Sequence, residues 1–159
     1  MSGAGDLWVF GYGSLIWRPG FPHAEAHAAA VPGWTRRFWQ GSHDHRGTPE
    51  APGRVVTLVA HERRACRGRA FRVEARDRAS VLAFLDHREK NGYERTELSV
   101  RLASGQRVRA LTYVAPPHNP AFLGPAPLEA MARHIAGSRG PSGPNPADLS
   151  ELTAALPQG

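Results

Sequence analysis

The chain reads as an α+β domain built on an antiparallel or mixed sheet. Three observations predict this. Several segments are β-branched runs or alternate apolar and polar residues at period two, and short turn sequences connect them. The segments with helical spacing arrive late in the order, after most of the strands. No internal repeat and no shift in composition divides the sequence, so residues 1–159 are expected to form a single domain, long enough to bury a core.

The first element expected is a strand. Leu7-Trp8-Val9-Phe10 is large and apolar without polar alternation, which suits burial on both faces. Gly11-Tyr12-Gly13 follows. Two residues without Cβ permit a positive φ and a close backbone approach to a ligand, and consecutive amides in such a turn can line an anion-binding concavity. A plain tight turn out of a core strand fits the same spacing. Residues 18–33 carry Pro19, Gly20, Pro22, Pro32 and Gly33 around an Ala-rich centre and read as a loop with at most a short strand. Trp34 to Trp39 reads as a strand, and the polar stretch from Gly41 to Pro49 as a loop. Arg54 to Val59 is a β-branched strand. His61-Glu62-Arg63-Arg64 then reads as a polar tip, with Cys66 to Val73 as the hairpin partner of the strand before it.

Asp77 is placed to cap a helix from Arg78 to about His87, with Val81, Leu82 and Leu85 on one face and Phe84 alongside. Asn91-Gly92 breaks it. Tyr93 to Leu102 alternates, with Thr96, Leu98, Val100 and Leu102 on one side. Ser104-Gly105 turns the chain into a further strand, Arg107 to Ala115. Leu128, Met131, Ala132 and Ile135 line a second helix closed by Gly137. Asn145-Pro146 with Asp148 supplies an N-cap, an N1 proline and a first-turn acid for a last helix carrying Leu149, Leu152 and Leu156.

Composition excludes several classes of function. The hydrophobic and charged fractions, 41% and 21%, are ordinary for a globular protein. No apolar run approaches a membrane span, and residues 1–6 have neither the basic nor the apolar part of a secretory signal. The lone Cys66 cannot form an internal disulfide, which fits a reducing cytoplasm, and reads as a partly buried thiol on a strand. The net charge of +6 and pI of about 10.6 raise the question of nucleic acid. Lys90 is the only lysine, and the arginines are scattered with no aromatic-interleaved stripe, so no nucleic-acid partner is expected. His43, Asp44 and His45 alternate as strand ligands could. No HExxH or CxxC completes a set, so no metal and no other cofactor is expected. Ser14 lacks the glycines of a nucleophile elbow, and Gly11-x-Gly13 lacks the rest of a dinucleotide fingerprint.

Two motifs carry a family resemblance. Trp8-Val9-Phe10-Gly11-Tyr12-Gly13-Ser14-Leu15-Ile16-Trp17 and Leu85-Asp86-x-Arg88-Glu89-Lys90-x-Gly92-Tyr93 resemble, respectively, the opening signature and the catalytic-glutamate segment of the ChaC-type γ-glutamylcyclotransferases. Stretches around Arg36 to Gly47, Pro52 to Val59, Leu123 to Leu128 and Gly140 to Gly143 resemble the same family, in the same order. An arbitrary Arg-Glu-Lys at a helix end would be a solvated charge cluster. The departures are His43 in place of a small polar residue, a short loop after Ser104, and an end at Gly159 where many relatives continue.

The resemblance implies a small β-barrel-like core with flanking helices. It implies a cytoplasmic, metal-independent enzyme that cyclises the γ-glutamyl group of glutathione and releases 5-oxoproline and Cys-Gly. Glu89 would be general base and then general acid. The backbone amides of Tyr12, Gly13, Ser14 and Leu15 would anchor the substrate α-carboxylate, and Tyr113 would line the pocket. A base for an ammonium works best well above the free carboxyl pKa near 4.3, so Glu89 is expected in a partly apolar cleft, with Arg88 and Lys90 turned towards solvent or other partners. A catalytically silent ligand-binding or regulatory module of the same fold is the alternative. The oligomeric state is left open.

Overall fold

A computed structural model describes residues 5–42, 46–48, 53–89, 92–116, 118–119, 121–140 and 143–146. Five strands, β1 (Leu7–Gly11), β2 (Glu25–Ser42), β3 (Gly53–Val73), β4 (Glu94–Leu102) and β5 (Arg107–Val114), close into a barrel with neighbours in the order β1-β3-β2-β4-β5. The β1–β5 contact is parallel and every other pairing is antiparallel. Two helices lie outside it, α1 (Arg78–Arg88) and α2 (Leu128–Gly137).

β1, β3 and β5 alternate their side chains between two apolar clusters, while β2 and β4 contribute to the inner one alone. Trp8, Phe10, Val31, Leu58, Val100 and Ala110, drawn from all five strands, fill the barrel interior. Leu7, Val9, Phe71, Leu111 and Tyr113 point outwards and pack against Val81 and Leu85 of α1. That double burial explains the unbroken apolar run of β1, in which Val9 and Phe10 are fully buried.

The segment expected to be a loop, residues 18–33, is half strand. β2 begins at Glu25 and pairs with β3 from Glu25↔Arg72 through to Ser42↔Gly53. The expected hairpin between Arg54–Val59 and Cys66–Val73 does not form, because both belong to the single strand β3. Pairing skips from Pro32↔Ala65 to Trp34↔Ala60, so His61 to Arg64 bulge out opposite Gly33, whose φ is +88°. Proline and glycine here mark a kink in a long strand rather than its absence.

α1 follows its prediction within a residue, with Val81 and Leu85 buried and Phe84 40% exposed. Asp77 occupies the N-cap position but its side chain makes no capping bond. In α2 only Ile135 is buried, while Leu128 is 79% exposed, so the expected apolar face touches the barrel at one end alone. The last helix, with Leu149, Leu152 and Leu156, falls outside the described residues. Asn145, read as its N-cap, is fully buried and pairs with the backbone of Arg54: it accepts from the amide at 2.7 Å and donates to the carbonyl at 2.7 Å. No helix among the described residues is long and apolar enough to cross a membrane.

Candidate active site

The glycine turn leaves the end of β1 and folds back at once. Ile16 N–H donates to the Gly13 carbonyl at 2.9 Å, and Arg18 N–H donates to the Ser14 carbonyl at 2.7 Å. Neither Gly11 nor Gly13 lies in the left-handed region, contrary to the conformational reason expected for them. Space is what excludes a side chain. A Cβ on Gly11 would lie 2.7 Å from Leu15 Cβ, and one on Gly13 would lie 2.8 Å from Val56 Cγ2.

Tyr12 is fixed at three points. Its hydroxyl donates to the Tyr113 carbonyl at 2.5 Å and lies in hydrogen-bonding contact with the buried Thr57, while its own carbonyl accepts from Arg36 Nε at 2.7 Å. Burial, and then the negative charge of Glu89, push the phenol well above its ordinary pKa, so the hydroxyl stays protonated. Arg36 is itself pulled down by burial and also donates to the Arg67 carbonyl. With its side chain so committed, Tyr12 can offer a ligand only its backbone. Leu15 is buried against the α1 side of the barrel, and Ser14 is exposed at the mouth of the turn.

α1 brings Glu89 to the same place. The helix ends at Arg88, and Glu89 closes it, its amide donating to the Leu85 carbonyl at 2.9 Å. Its side chain keeps 19% of its exposure. Arg88 spans from helix to turn, donating to Ser14 Oγ at 2.8 Å, to the Arg18 carbonyl at 2.6 Å and to the Pro19 carbonyl at 3.2 Å. The expectation that Arg88 faces other partners holds only for its terminal nitrogens, because Nε lies 3.8 Å from a Glu89 carboxylate oxygen. Burial lowers the Arg88 pKa, and Glu89 partly offsets that shift. Lys90 is outside the described residues. Two motifs some 74 residues apart are thus held together by one guanidinium.

Gly92 has φ +94°, and its carbonyl accepts from the Asn119 amide; a Cβ there would lie 1.5 Å from Asn119 Nδ2. Tyr93 donates to the Val56 carbonyl at 2.8 Å, tying this turn to the strand that also crowds Gly13.

The Tyr113 ring belongs to the outer cluster beneath α1, and its hydroxyl donates to Asp86 Oδ1 at 2.5 Å. Arg95 Nε also donates to Asp86 Oδ1, at 2.8 Å, and its terminal nitrogen bonds the other oxygen. Arg95 first and Tyr113 second hold the Asp86 carboxyl below its usual pKa, and burial raises that of the Tyr113 phenol. Asp86, Arg95 and Arg36 were not singled out as site residues in the sequence. Asp86 and Arg36 lie in stretches that carry the family resemblance, but the contacts of all three depend on the assembled barrel and helix.

Among the described residues no group of three or more His, Cys, Asp or Glu side chains could hold a metal ion. His43, Asp44 and His45 fall outside those residues. Cys66 is buried in the barrel interior, as a strand residue, and burial pushes its thiol up.

The arrangement pairs a carboxylate on a helix end with a rigid backbone turn. One can move a proton, and the other can hold an anion. Comparison with known proteins gives the same pairing a context. The family model described as "ChaC-like protein" matches residues 7–159. The human "Glutathione-specific gamma-glutamylcyclotransferase 1" is 45% identical over 143 residues, covering 87% of this chain, and the chain spans 64% of that protein's length. A fission yeast (Schizosaccharomyces pombe) "Glutathione-specific gamma-glutamylcyclotransferase" is 38% identical, covering 98% of this chain and 85% of its own. A crystal structure of the yeast γ-glutamylcyclotransferase specific to glutathione superposes with a TM-score of 0.90 at 31% identity, covering 95% of this chain and 86% of that one.

Proposed function

Because the chain belongs to the ChaC-like family, we propose that it is a γ-glutamylcyclotransferase acting on glutathione and releasing 5-oxoproline and Cys-Gly. The observation that carries this reading is the juxtaposition of Glu89 with the Tyr12 turn through Arg88. The nucleophile in this reaction is the substrate's own α-amino group, so the protein need supply no Ser, Cys or cofactor of its own. Backbone amides of Tyr12, Gly13, Ser14 and Leu15 anchor the α-carboxylate, folding the γ-glutamyl chain so that its amine faces its own γ-carbonyl. Holding a near-attack conformer of this kind lowers a barrier by several kcal/mol.

Glu89 then moves the proton. As a carboxylate it takes one from the α-ammonium, and the freed nitrogen attacks the γ-carbonyl carbon. The ring N–C bond forms and the attacking nitrogen sheds its second proton; the amide bond to cysteine breaks as Glu89 returns the first proton to the departing amine, which takes up the second and leaves as an ammonium. Arg88 Nε stands 3.8 Å from a carboxylate oxygen of Glu89. Arg88 also keeps the turn from drifting off the helix while the proton is in transit.

Incubation of the purified protein with reduced glutathione should release 5-oxoproline, with and without a chelator. Glutathione should give a higher kcat/KM than γ-Glu-Ala. A protein that binds glutathione or 5-oxoproline but turns over neither γ-glutamyl substrate is a silent module of the same fold.

A further inference from the structure

Tyr113 touches both halves of the site from beneath. Its carbonyl accepts the Tyr12 hydroxyl at 2.5 Å, and its own hydroxyl donates at 2.5 Å to Asp86, one helical turn before Glu89. Arg95 lies directly opposite Tyr113 across the β4–β5 ladder, so both side chains leave the sheet on one face. There they grip the two oxygens of a single carboxylate. The ring of Tyr113 is 4% exposed among apolar residues that a phenylalanine would fill equally well. What the hydroxyl adds is direction, through a short charge-assisted bond to the helix.

We propose that Tyr113 is a positioning residue that, with Asp86 and Arg95, fixes the C-terminal turn of α1 and so aims Glu89 at a substrate held by the Tyr12 turn. This rests on the reading of Glu89 as the proton-transfer group. The clamp is not chiefly a stabiliser, because the Asp86 and Arg95 side chains are 45% and 49% exposed, and pairs so open to water add little. Its effect is angular. Arg88 holds α1 from the side of the glycine turn, and Asp86 holds it from the side of β4 and β5. With one clamp gone, the last turn of the helix can roll about the other. A displacement of an ångström at a reacting group can cost as much as about a hundredfold in rate.

The test compares wild type, Tyr113→Phe, Asp86→Asn and the double variant for kcat and KM on glutathione, with amide hydrogen exchange of peptides covering residues 85–93. Each single variant is expected to lower kcat roughly tenfold with KM within about twofold, a fraction of the cost of misplacing a reacting group. The double variant should be no worse than Asp86→Asn alone, since Asp86 is the partner through which Tyr113 acts. Exchange at the helix end should quicken. Arg95→Gln, on the exposed side of the clamp, repeats the experiment should Asp86→Asn fail to fold. An unchanged kcat overturns the inference, and so does a lower thermal midpoint as the only effect. A raised KM with kcat intact overturns it in favour of a substrate contact. Wild-type protein without activity on any γ-glutamyl substrate defeats the functional reading itself, and the inference with it, which the wild-type control shows separately.

Discussion

Gly13→Ala is the most informative substitution in the turn, because the structure gives its cost a single address. The backbone at Gly13 is outside the left-handed region, so alanine meets no conformational penalty there. Its Cβ would lie 2.8 Å from Val56 Cγ2, closer than carbon atoms pack, and the next neighbours lie beyond 4 Å. Overpacking by one methyl group costs about 1–3 kcal/mol. For a protein of this length that lowers the thermal midpoint by roughly 2–12 °C. Val56 packs on the barrel interior, and its carbonyl holds the Tyr93 hydroxyl, so its displacement also disturbs the turn after Glu89. Val56→Ala removes two carbons and costs about 1.6 kcal/mol alone. The double variant should recover at least about 1 kcal/mol relative to the sum, because it deletes the atom that clashes. Thermal melts of the four proteins measure this, and KM for glutathione follows whether the turn has moved. Additive losses, or a Gly13→Ala protein as stable as wild type, would refute the steric account of the turn.

Two further outcomes follow from the structure. Gly92→Ala combines a φ of +94° with a Cβ 1.5 Å from Asn119 Nδ2, so it should cost more than about 3 kcal/mol or fail to fold, while Gly137→Ala, which meets nothing within 4 Å, should be neutral or slightly stabilising; urea titrations compare them. The depressed Asp86 pKa makes its contribution to stability, small for so exposed a pair, fully present above the unfolded value of 3.8 and lost as pH falls through the folded value; melts from neutral to strongly acid pH should therefore show a small gap between wild type and Asp86→Asn that closes below about pH 4.

What the sequence revealed followed the range of the interactions involved. α1, β4 and β5 were legible because period and turn residues are local, and β1 because its burial on two faces leaves no polar alternation. β2 was hidden by Pro22, Pro32 and Gly33, which read as breakers although Pro32 and Gly33 sit where the pairing with β3 slips. The polar tetrad His61 to Arg64 looked like a hairpin tip for the same reason. Both errors concern which strand pairs with which, and that is decided by barrel closure. At the site, Glu89 and the Tyr12 turn were visible through family resemblance. Arg36 and Asp86 lie in the resembling stretches and Arg95 does not, but none carried a role there, since each meets its contact only when strands and helix are assembled. Tyr113 was picked out by a looser resemblance to the same family, and the outward phase of β5 turns its ring under α1.

The central claim is that Glu89 carries the proton in both directions. Glu89→Gln preserves shape but cannot take a proton from an ammonium. General acid–base catalysis is worth roughly 10²–10⁴-fold. Single-turnover measurement of 5-oxoproline release from glutathione, on folded Glu89→Gln protein, should show the chemical step slowed by about that factor with substrate affinity within a few-fold of wild type. A folded variant that releases 5-oxoproline within a few-fold of the wild-type rate would contradict the account and pass the role to Glu94 or Glu97.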